Sequence, residues 1–121
     1  MASTPIVISD YTLKKTRQRH PEISVQDYRA IPIIVADGVF IVGNKPNAVQ
    51  LIGSVASDSG EQTYSLVIKA AGTGELFVST LHRLKFKEAK RLYNRALDRG
   101  TLLRDHKTEM ARHLWRRAMN S

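Results

Sequence analysis

Cysteine is absent from the 121 residues, so disulfides, thiolate metal ligands and a thiol nucleophile are excluded. Aromatic residues are scarce at 7%, which leaves little for stacking a run of nucleobases. No apolar run approaches the ~18 residues needed to cross a bilayer. The N-terminus lacks a basic-then-apolar signal pattern, so no membrane association is expected. There is no P-loop, no GxGxxG and no GxSxG elbow, which leaves nucleotide hydrolysis and esterase chemistry without support. The histidines at positions 20, 82, 106 and 113 show no metal-ligand spacing, and no metal or cofactor is expected.

What is present fits one α+β domain. Apolar residues make up 42% and charged residues 25%, ordinary for a folded chain. At this length roughly two-thirds of the unfolded surface can be buried. The net charge is +8, and its location is informative. From His82 to Arg117 there are twelve basic residues against four acidic; the rest of the chain holds seven of each. The entire surplus belongs to one C-terminal segment, the pattern of a surface that faces a polyanion.

Along the chain, Met1 to Pro5 read as a loose start. Ser9 or Asp10 caps a short polar helix through Arg19, which Pro21 stops. Ser24 with Asp27 resembles a capping box opening one or two turns through Tyr28. Ile31 to Val35 could add an edge strand, although Pro32 argues for the edge or for no strand. After Asp37-Gly38 come four runs separated by short turns: Val39 to Val42, Ala48 to Val55, Thr63 to Ala70 and Glu75 to Leu81. They predict an antiparallel meander of four strands. Phe86, Ala89, Tyr93, Ala96 and Leu97 then share a helical face, with Gly100 as the stop. A last basic helix is expected from Met110, Ala111, Leu114, Trp115 and Ala118, so that residues 105–121 extend the domain formed by residues 1–104.

Lys87, Arg91, Arg95 and Arg99 recur every fourth residue, placing four cations in one row. Such a row is slightly self-repulsive unless a polyanion lies along it. Arg112, Arg116 and Arg117 repeat the theme, and Lys14 and Lys15 add to it near the N-terminus. A solvated helix face would look the same, but two basic helices beside a neutral remainder favour nucleic acid.

His20 closes a helix carrying Lys14, Lys15, Arg17 and Arg19, and those cations favour the neutral imidazole that a general base requires. In the last strand, alternation puts Leu76, Val78, Thr80 and His82 on one face and Phe77, Ser79 and Leu81 on the other. A hydroxyl and an imidazole two residues apart, with Arg83 at the strand end, suit the handling of phosphate. Lys69, near the end of the adjacent strand, is a further candidate.

Arg19-His20-Pro21-Glu22, Asp27-Tyr28, Asp37-Gly38, Val67-Ile68-Lys69-Ala70 and the run Glu75 to Arg83 together resemble phage-encoded nuclease-like domains. These belong to the barnase–EndoU–colicin–RelE superfamily and are found at the C-terminus of Mu-like minor head proteins. The resemblance spans roughly Asp10 to Arg104. It implies N-terminal helices packed on a four-stranded antiparallel sheet, and RNA cleavage without metal or cofactor. It also implies a phage or prophage setting, in the host cytoplasm or on the virion. By position, His20 would be the general base or acid and Thr80 the phosphate-contacting hydroxyl. Arg83 and Lys69 would stabilise charge, and His82 would partner the proton transfer. The expected activity is therefore an endoribonuclease, toxin-like in chemistry. The alternative is a non-catalytic nucleic-acid-binding protein of the virion, and an acidic inhibitor or capsid protein is a possible partner of the basic segment.

Overall fold

The computed structural model describes residues 6–57 and 60–105. The α+β class holds, and the four expected strands form the middle of the sheet. They are β2 (Val39–Val42), β3 (Ala48–Ser57), β4 (Gly60–Ala70) and β5 (Leu76–Leu84), each antiparallel to the next. Among the described residues the sheet is nonetheless six-stranded and mixed, which corrects the expected four-stranded antiparallel sheet. β1 (Ile6–Val7) pairs parallel with β5 at one edge, and β6 (Leu102–Arg104) pairs with β2 at the other. Two and three residues are too few to show a period of two in a sequence.

Among the described residues four helices accompany the sheet: α1 (Asp10–Arg19), α2 (Val25–Arg29), α3 (Ile31–Asp37) and α4 (Phe86–Arg99). Ser9 caps α1, its hydroxyl accepting from the Thr12 N–H at 3.2 Å. Ile31 to Val35 form a helix and not an edge strand. Pro32 stands in the first turn, where its missing N–H has no intrahelical acceptor to lose. α3 turns Ile34 into the core, where it is fully buried. Arg104 of β6 closes that helix from across the fold, donating to the carbonyls of Val35 (2.9 Å) and Gly38 (2.7 Å). One of the surplus cations thus neutralises a helix C-terminus.

The sheet separates two apolar layers. On one face Leu51, Tyr64, Leu66, Ile68, Val78 and Leu81 pack under α2 and α3 with Ala30, Ile31 and Ile34. On the other, Val39, Ile41, Ile52 and Leu84 meet Ala89 and Ala96 of α4. The apolar stripe of α4 is shifted from the expected one: Leu92 packs inward with Phe86 and Tyr93, while Leu97 is 50% exposed. Gly100 ends α4 in the left-handed conformation at φ 67°, which glycine adopts without strain. The last basic helix, with Arg112, Arg116 and Arg117, lies outside the described residues, as do Met1 to Pro5.

β5 breaks the expected alternation. Val67 pairs with Thr80 and the next residue, Ile68, pairs with Val78, so Ser79 is an extra residue in the ladder. Val78 and Leu81 consequently both enter the same core. Beyond this bulge the parity is reversed, and Thr80 and His82 stand opposite Val67 and Ser65 on the α4 face. α1 holds the bulge: the Thr12 hydroxyl donates to the Val78 carbonyl at 3.0 Å, and Lys15 Nζ to the Ser79 carbonyl at 2.8 Å.

Asp27 ties α2 to the sheet. It is 2% exposed and accepts from the Ser24 N–H (2.7 Å) and hydroxyl (3.1 Å) and from the Tyr64 hydroxyl. Arg83 completes the set through Nε (3.1 Å) and Nη2 (2.9 Å). Burial alone would raise the Asp27 pKa, but the hydrogen bonds from Arg83, Tyr64 and Ser24 together hold it at about 2. Its partner Tyr64 is pushed up to about 12 by burial and by the carboxylate beside it.

Because the folded carboxyl lies below its ordinary 3.8, its contribution is complete above about pH 4 and is lost as pH falls towards 2. The difference corresponds to roughly 2 kcal/mol. Asp27→Asn should lower the unfolding free energy at pH 7 by about 2–4 kcal/mol and remove most of the loss of stability between pH 4 and 2. Chemical denaturation monitored by circular dichroism across that range measures both effects.

Candidate functional site

On the sheet face that carries α4, the helix packs with Val39 and Ile41 of β2, Ile52 of β3, Leu84 of β5 and Leu102 of β6. The remainder of that face is polar and partly open. Cross-strand register places Ala48 beside Lys69, Gln50 beside Val67, Val67 beside Thr80, and Ser65 beside His82. Lys69, Thr80 and His82 are each half-buried there. Three of the five residues expected to carry chemistry therefore share one surface.

His20 joins them from outside the sheet. It is the residue that ends α1, its N–H bonded to the Thr16 carbonyl at 2.7 Å. Its ring stacks on that of His82 with centroids 5.1 Å apart and planes 16° from parallel. On its other side, His20 Nδ1 lies 3.6 Å from a Glu22 carboxylate oxygen, an ion pair when the ring is protonated. The helix stop at Pro21 that the sequence shows is what delivers this imidazole to the sheet edge.

His82 Nδ1 is buried and has no hydrogen-bond partner among the described residues. Burial lowers the His82 pKa below its ordinary 6.5, and the neighbouring His20 lowers it further, against weaker opposite pulls from Glu88 and Glu22. Both effects favour the neutral ring, the form able to accept a proton. A buried polar atom left unpaired is unusual in a folded protein and characteristic of functional positions.

Lys15 belongs to the site, although its place in the sequence marks it only as one cation of a basic helix. Half-buried at the bulge, it lies close enough to Arg19 and Lys69 that burial first, and those two charges next, lower its pKa. Nothing in the one-dimensional pattern distinguishes Lys15 from Lys14, which is exposed. The bulge and the α1 contact make the difference.

Arg83 is not part of this cluster. The expectation that it completes a Thr80-His82-Arg83 group fails because alternation turns it to the opposite face, onto Asp27. There the ion pair raises its pKa, and it borders a cavity of about 600 Å³ with Arg29, Tyr64 and Gln62.

The row Lys87, Arg91, Arg95 and Arg99 is present as expected. All four are exposed, and with Lys90, Asn94 and Asp98 they line a shallow groove along α4. Among the described residues no group of three or more potential metal ligands occurs, and no helix is long and apolar enough to cross a membrane.

No family model, curated protein or solved structure matches this chain.

The stack makes a specific titration behaviour. In a histidine-resolved NMR pH titration, His82 should titrate below 6.5. His20→Gln should move that midpoint upward, because both the repulsion and part of the burial are removed. A midpoint that stays in place or falls would contradict the described environment.

Proposed function

We propose that this protein is a metal-independent endoribonuclease of phage or prophage type whose site is the His20–His82 face of the sheet. The observation that carries the reading is the stacked imidazole pair beside Thr80, Lys69 and Lys15 on one open surface. RNA supplies its own nucleophile, so the protein needs only a base, an acid and cations. Neutral His82 accepts the 2′-hydroxyl proton at Nε2. The 2′ oxygen then bonds to phosphorus as the bond to the 5′ oxygen breaks. Protonated His20 gives its proton to that leaving oxygen. The Thr80 hydroxyl donates to a non-bridging oxygen, and the Lys69 and Lys15 ammonium groups stabilise the charge of the phosphorane. The products are a 2′,3′-cyclic phosphate and a 5′-hydroxyl, so atoms and charges balance without a cofactor.

The second reading is a nucleic-acid-binding protein without catalysis, and the exposed cation row of α4 favours it. The row serves either reading, since a nuclease also requires a grip on its polyanion. An acidic inhibitor or capsid protein would approach the same charges.

Incubation of total RNA with the protein in excess chelator tests the reading. Fragments ending in 2′,3′-cyclic phosphate are expected, with rates lowered about 10²–10⁴-fold by His82→Ala or His20→Ala. Intact RNA, or equal cleavage by all variants, would leave binding as the function. Replacing Lys87, Arg91, Arg95 and Arg99 with Gln should lower the slope of log K against log salt for single-stranded RNA by about 3. Fluorescence anisotropy over a salt series measures that slope.

A further inference from the structure

The sheet face opposite the imidazole pair holds a cavity of about 600 Å³ that the proposed reaction does not use. Its floor lies on β3, β4 and β5, where Val55 pairs with Gln62 and Tyr64 with Arg83. Arg29 of α2 and Ile33 of α3 line it from the helices. The volume falls within the ~300–1,000 Å³ of small-molecule sites.

The cavity is built around a guanidinium held in one place. Arginine has five N–H donors, and Asp27 takes two from Arg83, at Nε (3.1 Å) and Nη2 (2.9 Å). Asp27 is itself fixed by the Ser24 N–H and the Tyr64 hydroxyl. The bonded side of the fork is thus the Nε–Nη2 edge. The other edge, Nη1 with the second hydrogen of Nη2, has no partner among the described residues, and the side chain remains 40% exposed. Such an edge takes a carboxylate through two parallel hydrogen bonds. Because Asp27 already orients the side chain, binding there costs less ordering than on an unrestrained arginine.

Charge and shape narrow the ligand. Asp27 cancels one of the two guanidiniums, and Arg29 has no acidic partner among the described residues. One positive charge is left over, since Tyr64 stays neutral with its pKa at about 12. Glu22 also acts on Arg83, but it does not line the cavity and pairs with His20. A second negative charge on the ligand would lie against the Asp27 carboxylate, so a monoanion fits better than a dianion. The remaining wall is apolar: Ile33 is 46% exposed and borders the same space as Val55. A charged head alone would leave that wall in water, whereas an apolar body would cover it.

We propose that this cavity binds a small monocarboxylate with an apolar body. The carboxylate takes the open edge of Arg83 with Arg29 as the second cation, and the apolar group lies against Ile33 and Val55. The site is separate from the RNA face. His82 and Arg83 are neighbours in β5 but point to opposite sides of the sheet, one onto His20 and the other onto Asp27.

Titration of isotope-labelled protein with phenylacetate, followed by amide shifts, tests the proposal. Saturable shifts are expected at Arg29, Ile33, Val55 and Gln62, with Kd on the order of 1 mM. Phenylacetamide keeps the ring without the charge, and acetate keeps the charge without the ring. Each should bind at least about tenfold more weakly. Arg29→Gln should weaken phenylacetate about fivefold, and Ile33→Ala about threefold with acetate unchanged. Both side chains are exposed and neither holds Asp27, so these variants keep the fold. Equal binding of phenylacetate and phenylacetamide would overturn the anion site. Shifts confined to His20, His82 and α4, or an affinity unaltered by Arg29→Gln, would do the same. Tighter binding of phenyl phosphate than of phenylacetate would overturn the monocarboxylate assignment.

Discussion

A single extra residue in one strand, Ser79, decides what the two faces of this sheet do. Before it, β5 sends Leu76 and Val78 into the core beneath the N-terminal helices. After it, with the parity reversed, Leu81 and Arg83 occupy that side and Thr80 and His82 the other. Without the bulge, the imidazole would face the core and the guanidinium the open surface. The bulge is in turn held by Thr12 and Lys15, which occupy the carbonyls of Val78 and Ser79. The helix that positions His20 therefore also fixes the strand that positions His82.

The two faces are polar in opposite senses. On one, a buried carboxylate has every oxygen engaged, by Ser24, Tyr64 and Arg83. Such a cluster is rigid, since losing any one partner leaves charge uncompensated in the interior. On the other, His82 keeps a buried nitrogen with no partner among the described residues, and cations lie near one another. The first arrangement stabilises the fold. The second is at odds with stability, because a buried polar atom and neighbouring like charges both cost free energy.

Much of the framework was legible in the sequence. Turn residues at Gly43 to Asn47 and Gly72 to Gly74 mark the meander, the Ser24–Asp27 box marks α2, and the spacing of Ala89 and Ala96 marks α4. Residue type and local pattern single out His20, Lys69, Thr80 and His82, which the structure brings to one side of the sheet. What escaped has a common cause. β1 and β6 are shorter than a detectable period, and a bulge changes parity without changing composition. The Arg83–Asp27 pair joins residues 56 positions apart. Pro32 was ambiguous because proline suits both a sheet edge and the first turn of a helix.

The contacts that α1 makes with β5 have a consequence for behaviour in a crowded solution. A strand at the margin of a sheet normally shows an open ladder of backbone groups, onto which a strand from another molecule can dock. β1 covers only the start of β5, and two of the next acceptors are taken by a threonine hydroxyl and a lysine ammonium. The opposite margin is a three-residue strand whose Arg104 turns back onto α3. Each border of the sheet thus discourages edge-to-edge aggregation. At high local concentration such chains can stay separate without their sheets fusing.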